Sequence, residues 1–203
     1  NEQSLRVVDL LENDGAGLNL TYEVRMAILG HTGSRIPETL EGQVVRRADR
    51  MAYVNHDIDD AIRAGILSGE DIPRSITKVL GSTYRQRINT LVCDAVAASK
   101  DADAILLSAP VEQALDDLRS FMFERVYRNP VAKSEESKAR DMLQKLYLHY
   151  MEHQQDLPEG FQPQLSLEGM QRTVCDYIAG MTDKYAVDKY SQIYIPMGWH
   201  VRG

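Results

Sequence analysis

Apolar residues recur at spacings of three and four along almost the whole chain, and this spacing restricts the fold more than any other feature of the sequence. One face of the stretch 84–99 carries the apolar residues Ile88, Leu91, Val92, Ala95 and Val96. The same period predicts a long helix at about 39–65, and further helices over 134–153 and 170–185. Lys100–Leu107 alone has some strand character, and strands and helices do not alternate. The spacing therefore predicts an all-α protein.

The breaks between these helices predict how the chain is divided. With 203 residues, 43% of them hydrophobic, the chain can form one buried core and an appendage. The loop Leu157–Pro163 is rich in proline and glycine and is the best candidate for an internal boundary. We therefore expect a helical domain over 1–156 and a C-terminal helical extension over 157–203. The apolar tail Ile193–Trp199 is expected to pack back.

Charge and cysteine content limit the partners and the compartment. The formal net charge is −7, so charge does not indicate nucleic-acid binding, but a local basic pocket for a small phosphate ligand stays possible. No apolar run approaches the ~20 residues that span a bilayer, so a membrane partner is not expected. Cys93 and Cys175 lie in apolar helical patterns and are predicted to be buried free thiols. A reducing, cytoplasmic setting is therefore favoured.

The segment Arg46–Asp60 predicts one helix whose inner face carries ionisable groups. At about 100° per residue, one stripe of this helix holds an imidazole, a phenol and two or three carboxylates, from the set His56, Tyr53, Asp49, Asp57 and Asp60. Like charges at such spacing repel, so a bound cation or a cationic ligand group would compensate them. Two alternatives stay open: a solvated acidic face, and an ion pair of Asp49 with Arg46 or Arg50.

A second helix places Arg119, Phe123 and Tyr127 at spacing i, i+4 and i+8, and therefore on one face. A guanidinium flanked by aromatic rings suits a phosphate with a sugar or base beside it. The same stripe is also typical of a helix core in which the stem of the arginine covers apolar surface. The residues alone leave both interpretations open.

The dipeptide His56-Asp57 suggests metal ligation, but its geometry is poor. Neighbouring residues on a helix point about 100° apart, so these two side chains cannot easily bind one ion together. His56 with Asp60, four positions later, is sterically better. An ordinary polar contact is the competing interpretation of His56.

Five blocks of the sequence carry a resemblance to a known family. They are Asn1–Arg6 (NEQSLR), Gly17–Glu23 (GLNLTYE), Asp49–Ala61 (DRMAYVNHDIDDA), Leu118–Tyr127 (LRSFMFERVY) and Cys175–Tyr185 (CDYIAGMTDKY). In this order they resemble segments of the HD-superfamily deoxyguanosine triphosphate triphosphohydrolases. The similarity spans nearly the whole chain and corresponds to the portion of that family downstream of its His-Asp motif.

The resemblance implies an HD-domain-like helical bundle around a metal centre. The ligands in that family are a His, then a His-Asp pair, then a distant Asp, which Asp49 matches. The other ligands are absent from the sequence and are expected upstream of residue 1. By resemblance, Tyr53 and Asp57 match positions that contact the deoxyribose and its 3′-hydroxyl. Arg119 and Tyr127 match positions that contact the triphosphate and the sugar or base.

The implied activity is metal-dependent hydrolysis of a deoxynucleoside triphosphate, such as dGTP, to the deoxynucleoside and triphosphate. The implied cofactor is a divalent ion such as Mg²⁺ or Mn²⁺, with Arg119 and Arg50 as clamps for the phosphates. The family also implies a homo-oligomer. Two alternatives remain: a non-catalytic nucleotide-binding or oligomerisation module, and an HD-type phosphohydrolase that acts on another phosphoester.

Overall fold

The computed structural model describes residues 1–196, apart from the side chains of residues 131–134, and this part of the chain contains ten α-helices and no strand. The helices are α1 (Glu2–Arg6), α2 (Tyr22–Gly30), α3 (Leu40–Arg63), α4 (Arg74–Leu80), α5 (Tyr84–Ser99), α6 (Ala109–Met122), α7 (Pro130–Glu152), α8 (Gln162–Glu168), α9 (Met170–Ala179) and α10 (Asp183–Tyr194). The all-α prediction is confirmed. Residues 197–199 of the predicted apolar tail lie outside the described residues.

Helix α3, which carries most of the candidate site, begins and ends within two residues of its predicted bounds. The hydroxyl of Thr39 accepts a hydrogen bond from the backbone N–H of Gly42 at 3.2 Å, and so caps the first turn. Gly42 is buried where the chain comes close: a Cβ there would lie 2.6 Å from Cβ of Pro37 and 2.9 Å from Cβ of Ala27. Glycine therefore allows α2 and the following segment to approach α3.

Two local predictions are wrong. Lys100–Leu107 forms turns and irregular backbone rather than a strand, because an isolated strand has no partner for its ladder. The helix predicted over 170–185 is two helices: α9 ends at Ala179, and the hydroxyl of Thr182 accepts from the N–H of Tyr185 at 3.2 Å to begin α10.

The chain divides into two compact units, Asn1–Ala132 and Lys133 onwards. In the first unit, α3 packs against α5 and α6, and α4 packs against the same two helices. Its buried core combines residues from these four helices and their connections. The most deeply buried members are Val54, Ile58, Leu80, Leu91, Leu115, Leu118 and Met122. The site-bearing face of α3 is thus supported by a core on its opposite side.

The second unit has its own core around aromatic rings. Tyr150 of α7 and Tyr177 of α9 meet edge to face, with ring centroids 5.0 Å apart. The buried members are Leu146, Tyr150, Leu157, Val174, Tyr177 and Ala186. Because the second half of α7 shares this core with α9 and α10, the observed division falls at Ala132, whereas the sequence predicted a boundary after residue 156.

Both cysteines are free and exposed, so the prediction of free thiols is confirmed and the prediction of burial is wrong. On α5, Cys93 lies beside Val92 and Val96, which are 50% and 71% exposed. The apolar stripe of this helix is therefore wider than the face that it buries. Across residues 1–196, no helix is long and apolar enough to cross a membrane.

Candidate functional site

A cavity of about 790 Å³ runs along one face of α3 in the first unit, and we call it the site cavity. Side chains of α3 form its floor, the segments 31–36 and 104–106 form walls, and α6 contributes two charged residues. The lining residues on α3 are Gln43, Arg46, Arg47, Asp49, Arg50 and Tyr53, and those on α6 are Glu112 and Arg119. Three of the predicted site residues, Asp49, Arg50 and Tyr53, therefore meet a fourth, Arg119.

Asp49 is exposed in this cavity. Within residues 1–196, its carboxylate forms no hydrogen bond or salt bridge, although arginines stand on both sides of it in the sequence. Arg46 donates instead to backbone carbonyls, and Arg50 pairs with carboxylates of α6. The alternative in which Asp49 is an ion-pair partner of these arginines is therefore wrong. Its oxygens stay available to a ligand.

Arg50 and Arg47 connect α3 to α6 through ion pairs. Arg50 contacts Glu112 at 3.4 Å and Asp116 more closely. Arg47 makes two hydrogen bonds to the carboxylate of Glu112, at 2.9 and 2.8 Å. Among the described side chains, the buried Nε of Arg50 is one of two buried polar atoms without a partner. The predicted phosphate-binding Arg50 thus lies at the cavity but already has two carboxylate partners.

Asp57 and Tyr127 are direct partners. The hydroxyl of Tyr127 donates to Oδ2 of Asp57. The pKa of Tyr127 is raised, first by burial and then by this hydrogen bond and by the charge of Asp57; Tyr53 adds to the rise and Arg119 opposes it. The structure therefore brings Tyr53, Asp57, Tyr127 and Arg119 close together, although Asp57 and Tyr127 do not line the site cavity.

The π-helical turn Phe123–Tyr127 follows α6 directly and delivers Tyr127 to α3. Such turns widen the helix by one residue and occur often at functional sites. Phe123 is 50% exposed and meets Tyr127 edge-on at 5.8 Å. Arg119 is exposed and forms no hydrogen bond or salt bridge within the described part of the chain. It also lines a smaller adjoining cavity of about 410 Å³.

His56 has a partner on another helix. Its ring stacks on Tyr84, with centroids 5.7 Å apart, and its Nε2 lies 2.9 Å from the Tyr84 hydroxyl. Asp60 pairs with Arg63. The predicted stripe is therefore divided: Asp49 and Tyr53 face the site cavity, whereas His56 makes the ordinary polar contact that was its alternative interpretation.

Sequence reasoning missed the polar residues that hold the walls and the floor in place. Gln43 donates to the carbonyl of Pro37 at 3.1 Å and accepts from the N–H of Ile105 at 3.2 Å. On the far side of α3, the buried guanidinium of Arg87 contacts Asn55. The available signal for Arg87 was its position four residues before the apolar Leu91, which helical spacing places on the same face.

The described residues supply only part of a metal site. No group of three or more His, Cys, Asp or Glu side chains in residues 1–196 is arranged to hold a metal ion. Asp49 offers one carboxylate at the cavity, and carboxylate oxygens suit Mg²⁺ and Mn²⁺. A complete site needs further ligands from elsewhere.

Comparison with known proteins places this geometry in context. Residues 105–192 match the phosphohydrolase-associated domain. A protein of Caldanaerobacter subterraneus named deoxyguanosinetriphosphate triphosphohydrolase-like is 45% identical over 198 residues, which cover 98% of this chain and 58% of that protein. The chain is homologous to the deoxyguanosinetriphosphate triphosphohydrolase-like proteins. The resemblance seen in the sequence is thereby confirmed.

Other relatives carry the same name. A Clostridium perfringens protein is 45% identical over 205 residues, covering 97% of this chain and 60% of that protein. A Clostridium tetani protein is 41% identical over 209 residues, covering 97% of this chain and 59% of that protein. The chain therefore spans about three fifths of the length of these curated relatives. The matched domain and these relatives all carry phosphohydrolase names.

Proposed function

We propose that the chain forms part of a metal-dependent hydrolase that converts a deoxynucleoside triphosphate, such as dGTP, to the deoxynucleoside and triphosphate. The observation that carries this proposal is the exposed carboxylate of Asp49, which has no protein partner among the described residues and lies in a cavity lined by four arginines. A lone carboxylate next to cations suits a site that receives both a metal ion and phosphates. The names of the relatives support the same reaction class.

Asp49 would supply one oxygen ligand to a divalent cation such as Mg²⁺ or Mn²⁺. When bound, such an ion supplies an activated water and neutralises phosphoryl charge. The remaining ligands are those that the resemblance assigns to the His and the His-Asp pair. The role of Asp49 itself is to present its carboxylate to the cavity from the middle of a rigid helix.

Arg119 is the phosphate clamp in this proposal. It is exposed, lines the site cavity and has no carboxylate partner in the described part of the chain. Its guanidinium can therefore donate to phosphate oxygens without first breaking a salt bridge. Arg50 contributes positive charge at the same cavity, reduced by its pairing with Glu112 and Asp116.

Tyr53, Asp57 and Tyr127 form the sugar side of the proposed site. Oδ2 of Asp57 accepts from Tyr127, so Oδ1 keeps lone pairs for a sugar hydroxyl. Tyr127 holds the carboxylate in one orientation. The ring of Tyr53 is half-buried at the cavity wall and would pack against the deoxyribose, where a 2′-hydroxyl would be crowded.

Two further elements of the proposal come from the family and the cysteines. We infer a homo-oligomer from the resemblance. We also infer a cytoplasmic location, because two free, exposed cysteines suit a reducing compartment. Size-exclusion chromatography with light scattering would test the first, and fractionation of the native cells would test the second.

The central experiment uses the full-length protein and follows dGTP hydrolysis with Mn²⁺ or Mg²⁺. Asp49→Asn should abolish the release of triphosphate and weaken Mn²⁺ binding. The matched control is Asp60→Asn, an exposed carboxylate on the same helix that pairs with Arg63, and it should keep both. Triphosphate release that survives in Asp49→Asn would remove Asp49 from the metal centre.

A second candidate function is nucleotide binding without catalysis. It is favoured by the single carboxylate without an arginine partner that residues 1–196 bring to the cavity, where a complete metal site needs several ligands. Product analysis discriminates: triphosphate indicates the proposed hydrolase, orthophosphate or pyrophosphate indicates a phosphohydrolase with another substrate, and binding without any product indicates the module.

A further inference from the structure

We propose that Arg46 is a positioning residue: it fixes the segment 31–36 as a wall of the site cavity and thereby sets the affinity for the ligand. The identity of the ligand rests on the proposed function, but the positioning itself does not. Arg46 lies on α3, one turn before Asp49. Its side chain donates to backbone carbonyls of the wall and forms no salt bridge in the described part of the chain.

The geometry of Arg46 spans the whole segment. Its Nη1 donates to the carbonyl of Gly30 at 2.8 Å and to that of Arg35 at 3.1 Å. Its Nη2 donates to the carbonyl of Gly33 at 2.6 Å. One guanidinium therefore joins the last residue of α2, the middle of the segment and its far end.

The ends of the segment have other anchors, whereas within the described part of the chain its centre is held by Arg46. At one end His31 lies over its own helix, with Nδ1 2.6 Å from the carbonyl of Ile28. At the other end Gln43 holds Pro37, and Gly42 allows Pro37 to lie against α3. Among the described residues, the side-chain hydrogen bonds to the backbone between these two anchors come from Arg46.

Arginine is the side chain that this task requires. A guanidinium is planar and presents five N–H donors in a fixed fork, so it can serve three carbonyls in different directions at once. A lysine ammonium has three donors around one atom at the end of a flexible stem, and it cannot reach carbonyls that lie as far apart. Replacement by lysine should therefore restore the positioning only in part.

The segment held in this way is part of the ligand's surroundings. His31, Thr32, Gly33 and Ile36 all line the site cavity, as does Asp49. When the segment is not held, only a fraction of the molecules has the wall in place, and the apparent dissociation constant rises in inverse proportion to that fraction. Loss of Arg46 should therefore weaken binding and leave the turnover of bound substrate largely unchanged.

The test combines two measurements on the full-length protein and its Arg46→Ala and Arg46→Lys variants. The first is amide hydrogen exchange of residues 31–36 without ligand, and the second is binding of inorganic triphosphate together with KM and kcat for dGTP. We expect faster exchange in the segment and a roughly tenfold higher Kd and KM in Arg46→Ala. Arg46→Lys should give intermediate values, and kcat should change less than twofold.

The matched control is Arg63→Ala, another arginine of α3, which pairs only with Asp60 within the described residues. It should leave both measurements at wild-type values. Unchanged exchange of 31–36 in the Arg46 variants, or a loss of kcat without a change in KM, would overturn the positioning role. Hydrogen exchange also separates this proposal from the proposed function. The faster exchange of residues 31–36 in the Arg46 variants is expected even if the protein hydrolyses no dGTP. If Arg46→Ala does not fold, the same two measurements on Arg46→Lys decide whether Arg46 positions the segment.

Discussion

Arg87 of α5 donates through Nε to Oδ1 of Asn55 on α3 at 2.6 Å, and both side chains are buried. Asn55 in turn donates to the carbonyl of Met51 at 2.7 Å, so its amide has a defined orientation. Burial lowers the pKa of Arg87, while Asp59 and Tyr84 oppose this effect. The guanidinium also reaches the carbonyl of Ser82 at 3.3 Å. This buried network fixes α3 from the side opposite the site cavity.

Arg87→Met should therefore destabilise the first unit. The substitution leaves Oδ1 of Asn55 buried without its donor, which costs about 2–3 kcal/mol. Urea unfolding followed by circular dichroism measures the loss. Arg85→Met, on the exposed face of the same helix, is the matched control and should change the free energy of unfolding by less than about 0.5 kcal/mol. Equal midpoints for the two variants would contradict the network.

Tyr127→Phe should change the dependence of stability on pH. The pKa of Tyr127 is raised in the folded state, mainly by burial and then by Asp57. A tyrosine whose pKa is higher in the folded state than in the unfolded state stabilises the fold fully at pH values below its unfolded-state pKa of about 10. This stabilisation is lost as the pH rises through the folded-state pKa. The wild type should therefore lose stability above about pH 10, and the variant should lose less.

Unfolding in urea at pH 8, 9.5 and 10.5 provides the measurement. At pH 8 the variant should be less stable by about 1 kcal/mol, because the hydrogen bond to Asp57 is gone. The control is Tyr22→Phe, since Tyr22 is 57% exposed, and its profile should follow the wild type. Parallel profiles for Tyr127→Phe and the wild type would show that the hydroxyl is not the titrating group.

Arg119→Ala should weaken the binding of inorganic triphosphate roughly tenfold, because charge-assisted hydrogen bonds to phosphate are lost. Its melting temperature should stay close to that of the wild type, since the side chain is exposed and has no salt bridge in the described part of the chain. Isothermal titration calorimetry at two salt concentrations measures the effect. Arg128→Ala, which removes a contact with the Phe123 ring, should bind as the wild type does.

Asp116→Asn should strengthen triphosphate binding. This carboxylate competes for Arg50, and its neutralisation frees the guanidinium for an anionic ligand. An increase in affinity of roughly three- to fivefold is expected for one partly exposed charge. Asp117→Asn makes the same change of net charge one residue along α6, where the carboxylate accepts from Gln113. Similar gains in the two variants would mean that net charge, rather than Arg50, is responsible.

Periodicity was enough to predict α3 and α5, because the apolar spacing is a local property of the chain. It placed α3 at about 39–65, and the helix runs over Leu40–Arg63. It also put Asp49 and Tyr53 on one face, which is the face of the site cavity. The spacing also singled out Arg119, and the resemblance assigned it to the same site, where it meets them from α6.

Periodicity could not predict what covers each face. His56 shares the predicted stripe with Asp49, yet it stacks on Tyr84 because α5 packs on that side of α3. Cys93 lies on an apolar stripe that no helix of the first unit fully covers. The burial of Arg87 was missed for the opposite reason. Its charge suggested exposure, whereas its guanidinium is bound by Asn55 and Asp59 of α3. Tertiary partners decide each of these cases.

The π-helical turn at Phe123–Tyr127 has a consequence for how the chain tolerates changes in length. Its wider turn holds one residue more than an α-helical turn would. A single deletion in an ordinary α-helix rotates whatever follows by about 100°. A single deletion within this turn would instead restore α-helical pairing, so Tyr127 at its end would keep roughly its direction towards Asp57. The contact between these two residues therefore tolerates the loss of one residue from the turn, but not from the α-helical part of α6.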